Sequence, residues 1–198
     1  MKPREAGVVI LAAGRSERMK EMKAFLLFDK QNLFIKKILS TYSGWGCREI
    51  VVVTNQEASL RMKQTDMIPA MVKIVVNDHL ELERFYSVKL GLGSIRTSSF
   101  CFIQNVDNPF IDETILDRIF QYRSEEKYVS PVFENKGGHP VLLNWENIGC
   151  IRNWPVDTAI FREVLNTMEC QKVEMQDNRV LININSPEEY RKFFINKN

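Results

Sequence analysis

Apolar residues along this chain come in two alternating arrangements. Short contiguous runs occur at Val8–Ala12, Glu49–Thr54, Val72–Val76, Ser99–Val106, Tyr128–Phe133 and Pro140–Leu143. Runs of this length, rich in Val, Ile and Phe, predict buried strands. Between them apolar residues recur at helical spacing. Leu33, Phe34, Ile38, Leu39 and Tyr42 form one such face, and Phe85, Val88, Leu92 and Ile95 a second. Ile115, Leu116, Ile119 and Phe120 form a third, with Asp112 as its N-cap. Further on, Ala159–Leu165 predicts a helix, and short strands are expected near Val173 and over Val180–Ile184. Ser186, Pro187 and Glu189 have the spacing of a capping box with proline in the first turn, which opens a last helix.

Strands alternating with helices predict an α/β domain with a mostly parallel sheet covered on both faces. The second half has more short strands and fewer helices, so part of it is expected to pair antiparallel. No repeat, linker or low-complexity segment divides the chain, and residues 1–198 read as a single domain. Open parallel sheets bind ligands at the carboxyl ends of their strands. That rule singles out Ala13–Lys23, Asn77–Ser87, Asp107–Pro109 and Gly137–Pro140.

Composition narrows the classes. With 27 basic against 25 acidic residues the net charge is +2, so no global excess argues for nucleic acid. No apolar run approaches the length that spans a bilayer. The opening MKPREAG lacks the apolar core of a secretory signal. Cys47, Cys101, Cys150 and Cys170 lie far apart and without histidine at ligand spacing, which suits reduced thiols in a cytoplasmic protein.

The richest stretch follows the first strand. Leu11-Ala12-Ala13-Gly14 leads into Arg15, Ser16, Arg18, Lys20 and Lys23. A glycine at a strand end lets backbone approach a ligand, and arginine and lysine give charge-assisted hydrogen bonds to phosphate. A solvated amphipathic helix with Met19 and Met22 packed inward fits the same residues. Asp107, at a strand end and before Asn108-Pro109, suits a Mg²⁺ ligand and equally an ordinary turn cap. Gly137-Gly138-His139-Pro140 reads on its own chemistry as a hairpin turn with a solvated histidine.

The run Leu11-Ala12-Ala13-Gly14-x-Ser16-x-Arg18-Met19-x-x-x-Lys23-x-x-Leu26-Leu27 resembles the signature of the MobA-like nucleotidyltransferases. Within them it is most similar to the molybdenum cofactor cytidylyltransferase branch, and the likeness extends over nearly the whole chain. The resemblance implies a Rossmann-like three-layer sandwich of the GT-A nucleotidyltransferase type. It implies a nucleoside triphosphate, CTP favoured, held by Leu11, Ala12, Ala13, Gly14, Arg15, Ser16, Arg18 and Lys23, with Asn77 and Ser87 at the base and ribose. Arg18, Lys23 and Asp107 are the implied catalytic residues. Mg²⁺ is the implied cofactor, on Asp107 with Asn183 and Asn185. Gly138 and His139 would touch a phosphorylated acceptor such as molybdopterin cofactor, and a cofactor-receiving enzyme is the implied protein partner.

Several positions depart from the family pattern. Lys20 and Glu83 stand where the family has glycine, and Asn183 and Asn185 where it has aspartate. An amide oxygen can still bind Mg²⁺ but neutralises it less. Asn153–Ala159 lacks the family's Gly-Asp-x-Gly-Ala-Arg pattern and retains only Asp157 and Ala159 in approximate register. A sugar or polyol phosphate acceptor, a catalytically impaired nucleotide-binding homologue and a structural partner are therefore the competing readings.

Overall fold

The computed structural model describes residues 5–14, 16–65 and 68–195. The elements are β1 (Ala6–Ala12), α1 (Phe34–Trp45), β2 (Ile50–Thr54), α2 (Gln56–Gln64), β3 (Val72–Val76), α3 (Glu83–Leu92), β4 (Phe100–Asn105) and α4 (Glu113–Gln121). They continue with β5 (Tyr128–Phe133), β6 (Lys136–Gly137), β7 (Val141–Asn144), α5 (Trp145–Arg152), α6 (Phe161–Asn166), β8 (Cys170–Glu174) and α7 (Pro187–Tyr190). One sheet runs in the order β3-β2-β1-β4-β7-β5-β6, with β8 also paired to β5. Strands β3, β2, β1 and β4 are mutually parallel, and β7 inserts antiparallel between β4 and β5.

Period-two alternation divides β1 between two cores. Val8, Ile10 and Ala12 face α1, α2 and α4, where Ile38, Tyr42, Trp45, Met62 and Ile119 are buried with Phe102. Val9 and Leu11 face α3, α5 and α6, where Phe85, Val88, Leu92, Ile148 and Phe161 are buried. Helix α3 lies close on the sheet because Gly91 has no side chain. A Cβ there would stand 2.3 Å from Val9 Cγ1 and 2.9 Å from Val53 Cγ2.

A third cluster joins early and late parts of the chain. Phe28, Phe34, Phe110, Tyr190, Phe193 and Phe194 pack together. The Phe110 and Phe194 rings stack at 5.5 Å, Tyr190 and Phe194 at 5.0 Å, and the Tyr190 hydroxyl donates to Leu27 O at 2.9 Å.

The expected mixed sheet and the caps at Asp112 and Ser186 are present, the latter as a full capping box. The strand expected over Val180–Ile184 is absent. Asp177 instead caps a 3-10 turn over Asn178–Leu181, and the backbone beyond it runs without a sheet partner. Its polar groups are met by loops. Val180 O accepts from His139 N, and Ile184 N donates to Asp107 O at 2.8 Å. Helices α2 and α5 are additional to the expected elements, each opened by an asparagine side chain, Asn55 and Asn144, that accepts from a first-turn N–H. Cys47, Cys101, Cys150 and Cys170 are all free thiols, as their spacing predicts. Among the described residues no helix is long and apolar enough to cross a membrane.

Candidate active site

The carboxyl ends of β1, β3 and β4 open onto a cleft of about 440 Å³. Its first wall is the segment after β1. This is no amphipathic helix. It is two short 3-10 turns, Glu17–Met19 and Lys23–Phe25, with left-handed residues at Ser16 (φ 52°) and Lys20 (φ 55°). The Ser16 hydroxyl accepts from Lys23 N at 3.3 Å and draws the two turns together. Leu11, Ala12, Ala13, Gly14, Ser16, Arg18 and Lys23 all border the cleft; Arg15 lies outside the described residues. A Cβ on Gly14 would meet no atom within 4 Å. The protein's own packing makes no demand for glycine there; close approach of a ligand to that backbone would.

The second wall is the turn after β4. Asp107 sits above a buried polar network. Tyr42 OH donates to Gln104 Oε1 at 3.0 Å, and Gln104 Nε2 donates to Asn105 O at 2.7 Å and Asn108 O at 2.9 Å. Burial holds the Tyr42 phenol well above its ordinary pKa, so it remains a donor. Asn108 Nδ2 donates to Arg179 O and Val180 O, each at 3.2 Å, and ties this turn to the late segment.

Three distant parts of the sequence meet at one ammonium. Lys23 Nζ donates to Asp107 Oδ2 at 2.9 Å and to Asn185 Oδ1 at 2.7 Å. An ammonium has three hydrogens, so one remains for a further acceptor. Asp107 Oδ1 and Asn183 Oδ1 are buried and have no hydrogen-bond partner among the described residues. Asn185 borders the cleft, whereas Asn183 lies two residues back and off its lining. The oxygens gathered at Lys23, the Asp107 carboxylate and the Asn185 amide carbonyl, are of the type that binds a hard divalent cation.

The third wall belongs to α3 and the loop before it. Asn77 Nδ2 donates to Ser87 Oγ at 2.8 Å, and both side chains are buried at the cleft. Asn77 Oδ1 accepts from His79 N at 2.8 Å and fixes the loop. Glu83 adopts φ 58°, ψ −155°, a region almost restricted to glycine. The backbone at Lys20 and Glu83 thus keeps the conformation a glycine would favour although the side chains differ. Glu83→Gly is expected to stabilise the fold by about 1 kcal/mol, roughly 2–4 °C in Tm by calorimetry. A lower Tm would show that Glu83 makes compensating contacts.

Gly138 and His139 are not on the cleft lining. A Cβ on Gly138 would stand 2.6 Å from Val180 O, so this glycine serves close packing against the late segment. His139 Nδ1 is buried and without a partner among the described residues. Burial, and then the Arg84 and Arg162 guanidiniums, push its pKa down to about 3, so the ring is neutral at physiological pH. Arg84 borders the cleft and was not singled out by the sequence, where it is one more charge on an amphipathic helix. Loss of hydration on the cleft wall lowers its pKa, and the Asp107 carboxylate opposes that shift.

The α/β fold is of the GT-A nucleotidyltransferase type. Within that class the chain belongs to the MobA-like NTP transferase domain family, whose profile matches residues 8–173. Bifunctional protein GlmU of Clostridioides difficile (strain 630) is 26% identical over 134 residues. That alignment takes in 67% of this chain and 28% of GlmU, so the chain corresponds to under a third of that relative's length. The crystal structure of Rv0371c from Mycobacterium tuberculosis H37Rv superposes with a TM-score of 0.83 at 18% identity, covering 98% of this chain and 100% of that one. A manganese complex of the same protein gives 0.78 at 16% identity, covering 96% and 98%. Molybdopterin-guanine dinucleotide biosynthesis protein A from Archaeoglobus fulgidus gives 0.69 at 13% identity, covering 94% and 96%.

Proposed function

We propose that the protein transfers a nucleoside monophosphate, CMP from CTP in preference, to a phosphorylated small molecule with release of pyrophosphate. The observation that carries this reading is the convergence of Arg18, Lys23 and Asp107 on one cleft at the strand ends. Membership of the MobA-like family supports the reaction class. The run Leu11–Leu27 supports CTP and a molybdopterin-type acceptor, and a neighbouring structure is a protein of molybdopterin-guanine dinucleotide biosynthesis. A cofactor-receiving enzyme in the cytoplasm is then the natural partner.

In this reading an acceptor phosphate oxygen attacks the α-phosphorus, a new P–O bond forms, and the bond to the β-phosphate breaks with its electron pair leaving on pyrophosphate. The nucleophile is already an anion, so no general base is required. Rate comes from positioning and from cancelling charge. Lys23 offers its remaining hydrogen to a phosphate oxygen, and Arg18 faces the cleft as an exposed cation. Asp107 and Asn185, with Asn183 as the resemblance implies, would hold Mg²⁺. When bound, that ion supplies further neutralisation of the phosphates. Asn77 and Ser87 would orient the base and ribose, and Gly138 and His139 would act behind the acceptor.

The test is a thermal-shift screen of the nucleoside triphosphates with Mg²⁺, followed by pyrophosphate release with molybdopterin and with sugar and polyol phosphates. CTP at a hundredfold excess over its Kd should add about 2.7 kcal/mol of stability. No rise in Tm with any triphosphate would overturn the reading. The amides at Asn183 and Asn185 favour one rival, a nucleotide binder without turnover. Stabilisation by CTP with no pyrophosphate from any mixture would establish that rival.

A further inference from the structure

The Lys23 ammonium stands where the transfer reading puts another cation. It donates to Asp107 Oδ2 at 2.9 Å and to Asn185 Oδ1 at 2.7 Å, and these two side chains are the ones that would hold Mg²⁺. The Lys23 and Asp107 side chains are 16% and 22% exposed, so little water reaches the pair. Like charges are poorly screened at such a place, and an ammonium and a divalent ion on the same oxygens exclude one another. The ammonium also fills the seat incompletely. Asp107 Oδ1 is buried, and no donor among the described residues meets it. A buried carboxylate oxygen left bare is unfavourable, and a doubly charged ion compensates a carboxylate more fully than one N–H does.

Of the three groups, the lysine is the one able to leave. Asp107 is pinned through its own carbonyl, which accepts from Ile184 N at 2.8 Å. Asn185 N donates to Glu189 Oε2 at 2.6 Å, beside the capping box that Ser186 opens. Lys23 is fixed at its backbone, where its N donates to Ser16 Oγ at 3.3 Å. Its ammonium, however, ends a flexible four-carbon stem that borders the open cleft. The side chain can swing while the turn that carries it stays in place.

We propose that Lys23 is an internal stand-in for the metal. In the free protein its ammonium closes the Mg²⁺ seat on Asp107 and Asn185, and a bound triphosphate opens that seat by drawing the ammonium onto its phosphates. This regulation rests on the transfer reading and its metal seat. Its consequence is positive coupling. The divalent ion is taken up with the nucleotide and not ahead of it, and each raises the affinity of the other by the same factor.

The experiment uses Mn²⁺ as the probe, because water-proton relaxation separates protein-bound ion from ion chelated by free nucleotide. Mn²⁺ is titrated into wild type, Lys23→Met and Lys23→Arg, with and without saturating α,β-methylene CTP, and circular dichroism is recorded for each. Without nucleotide, Lys23→Met is expected to bind Mn²⁺ at least about tenfold more tightly than wild type, whereas Lys23→Arg, which keeps the charge, stays within about threefold. Adding Asp107→Asn to Lys23→Met should remove the gain. With the analogue bound, wild type should tighten on Mn²⁺ by about tenfold or more, and Lys23→Met by clearly less. Equal affinity of wild type and folded Lys23→Met without nucleotide overturns the proposal; if the analogue complex of wild type still holds Mn²⁺, the transfer reading stands without it. A gain in Lys23→Met that survives Asp107→Asn also overturns the proposal, because the ion then sits elsewhere. Failure of wild type to hold Mn²⁺ even with the analogue bound removes the metal seat itself, and the proposal with it. Should Lys23→Met not fold, Lys23→Gln takes its place with the same expectations.

Discussion

Lys23→Ala is expected to lower kcat on the order of 10²-fold while leaving the far-ultraviolet spectrum unchanged and Tm within a few degrees. The magnitude follows from removing a donor aimed at charge that builds in the transition state, about 3 kcal/mol. The fold should survive because Lys23 Nζ faces the cleft, where water can replace it beside Asp107 and Asn185. The measurement is steady-state pyrophosphate release, with kcat and KM for the triphosphate determined separately. A fall in kcat means that Lys23 acts mainly on the developing charge, and a rise in KM alone means uniform binding. Unchanged kcat and KM would remove Lys23 from the mechanism.

Phe102→Ala is expected to be the most destabilising of the changes considered, by about 3–5 kcal/mol. Phe102 is fully buried at the middle of β4. Its ring packs against Tyr42 at 5.6 Å and Trp45 at 5.5 Å, so truncation leaves a cavity beneath both large side chains of α1. For a domain of this size the loss corresponds to a drop of roughly 10 °C in Tm. Because β4 leads into the turn that carries Asp107, nucleotide-dependent stabilisation should weaken in the same variant. Denaturant unfolding with and without CTP checks both effects. A loss under 1 kcal/mol would mean that the core repacks around the gap.

Much of this architecture was legible in the residues. A buried strand has to alternate or run apolar, so β1, β2 and β4 could be read directly. The Ser186 box and the Asp112 cap were also legible because capping is local chemistry between neighbours three residues apart. The segment Val180–Ile184 misled because it has strand composition while its partners are loops. Nothing local reveals that Asp107 O and His139 N will meet its backbone. Helix α2 is largely polar, with only Ala58, Ser59 and Met62 buried, and offered too weak an apolar face.

In the cleft, Arg18, Lys23, Asp107 and Asn185 were expected together and lie together, bordering the same space. Arg84 was missed for a physical reason. A guanidinium on a solvated helix face and one facing a ligand have the same sequence signature, and only tertiary placement separates them. Lys20 and Glu83 show the converse. Their side chains read as departures from the family pattern, but the backbone at both retains positive φ.

The aromatic cluster that fastens Tyr190, Phe193 and Phe194 onto Phe28 and Phe34 ties one wall of the cleft to a seam outside the sheet. Residues 182–194 contribute no strand, so this seam can open while all eight strands stay paired. Asn185 reaches across 162 positions of sequence to Lys23 only while the seam is closed, so local opening there would dismantle the ammonium's surroundings before the domain unfolds.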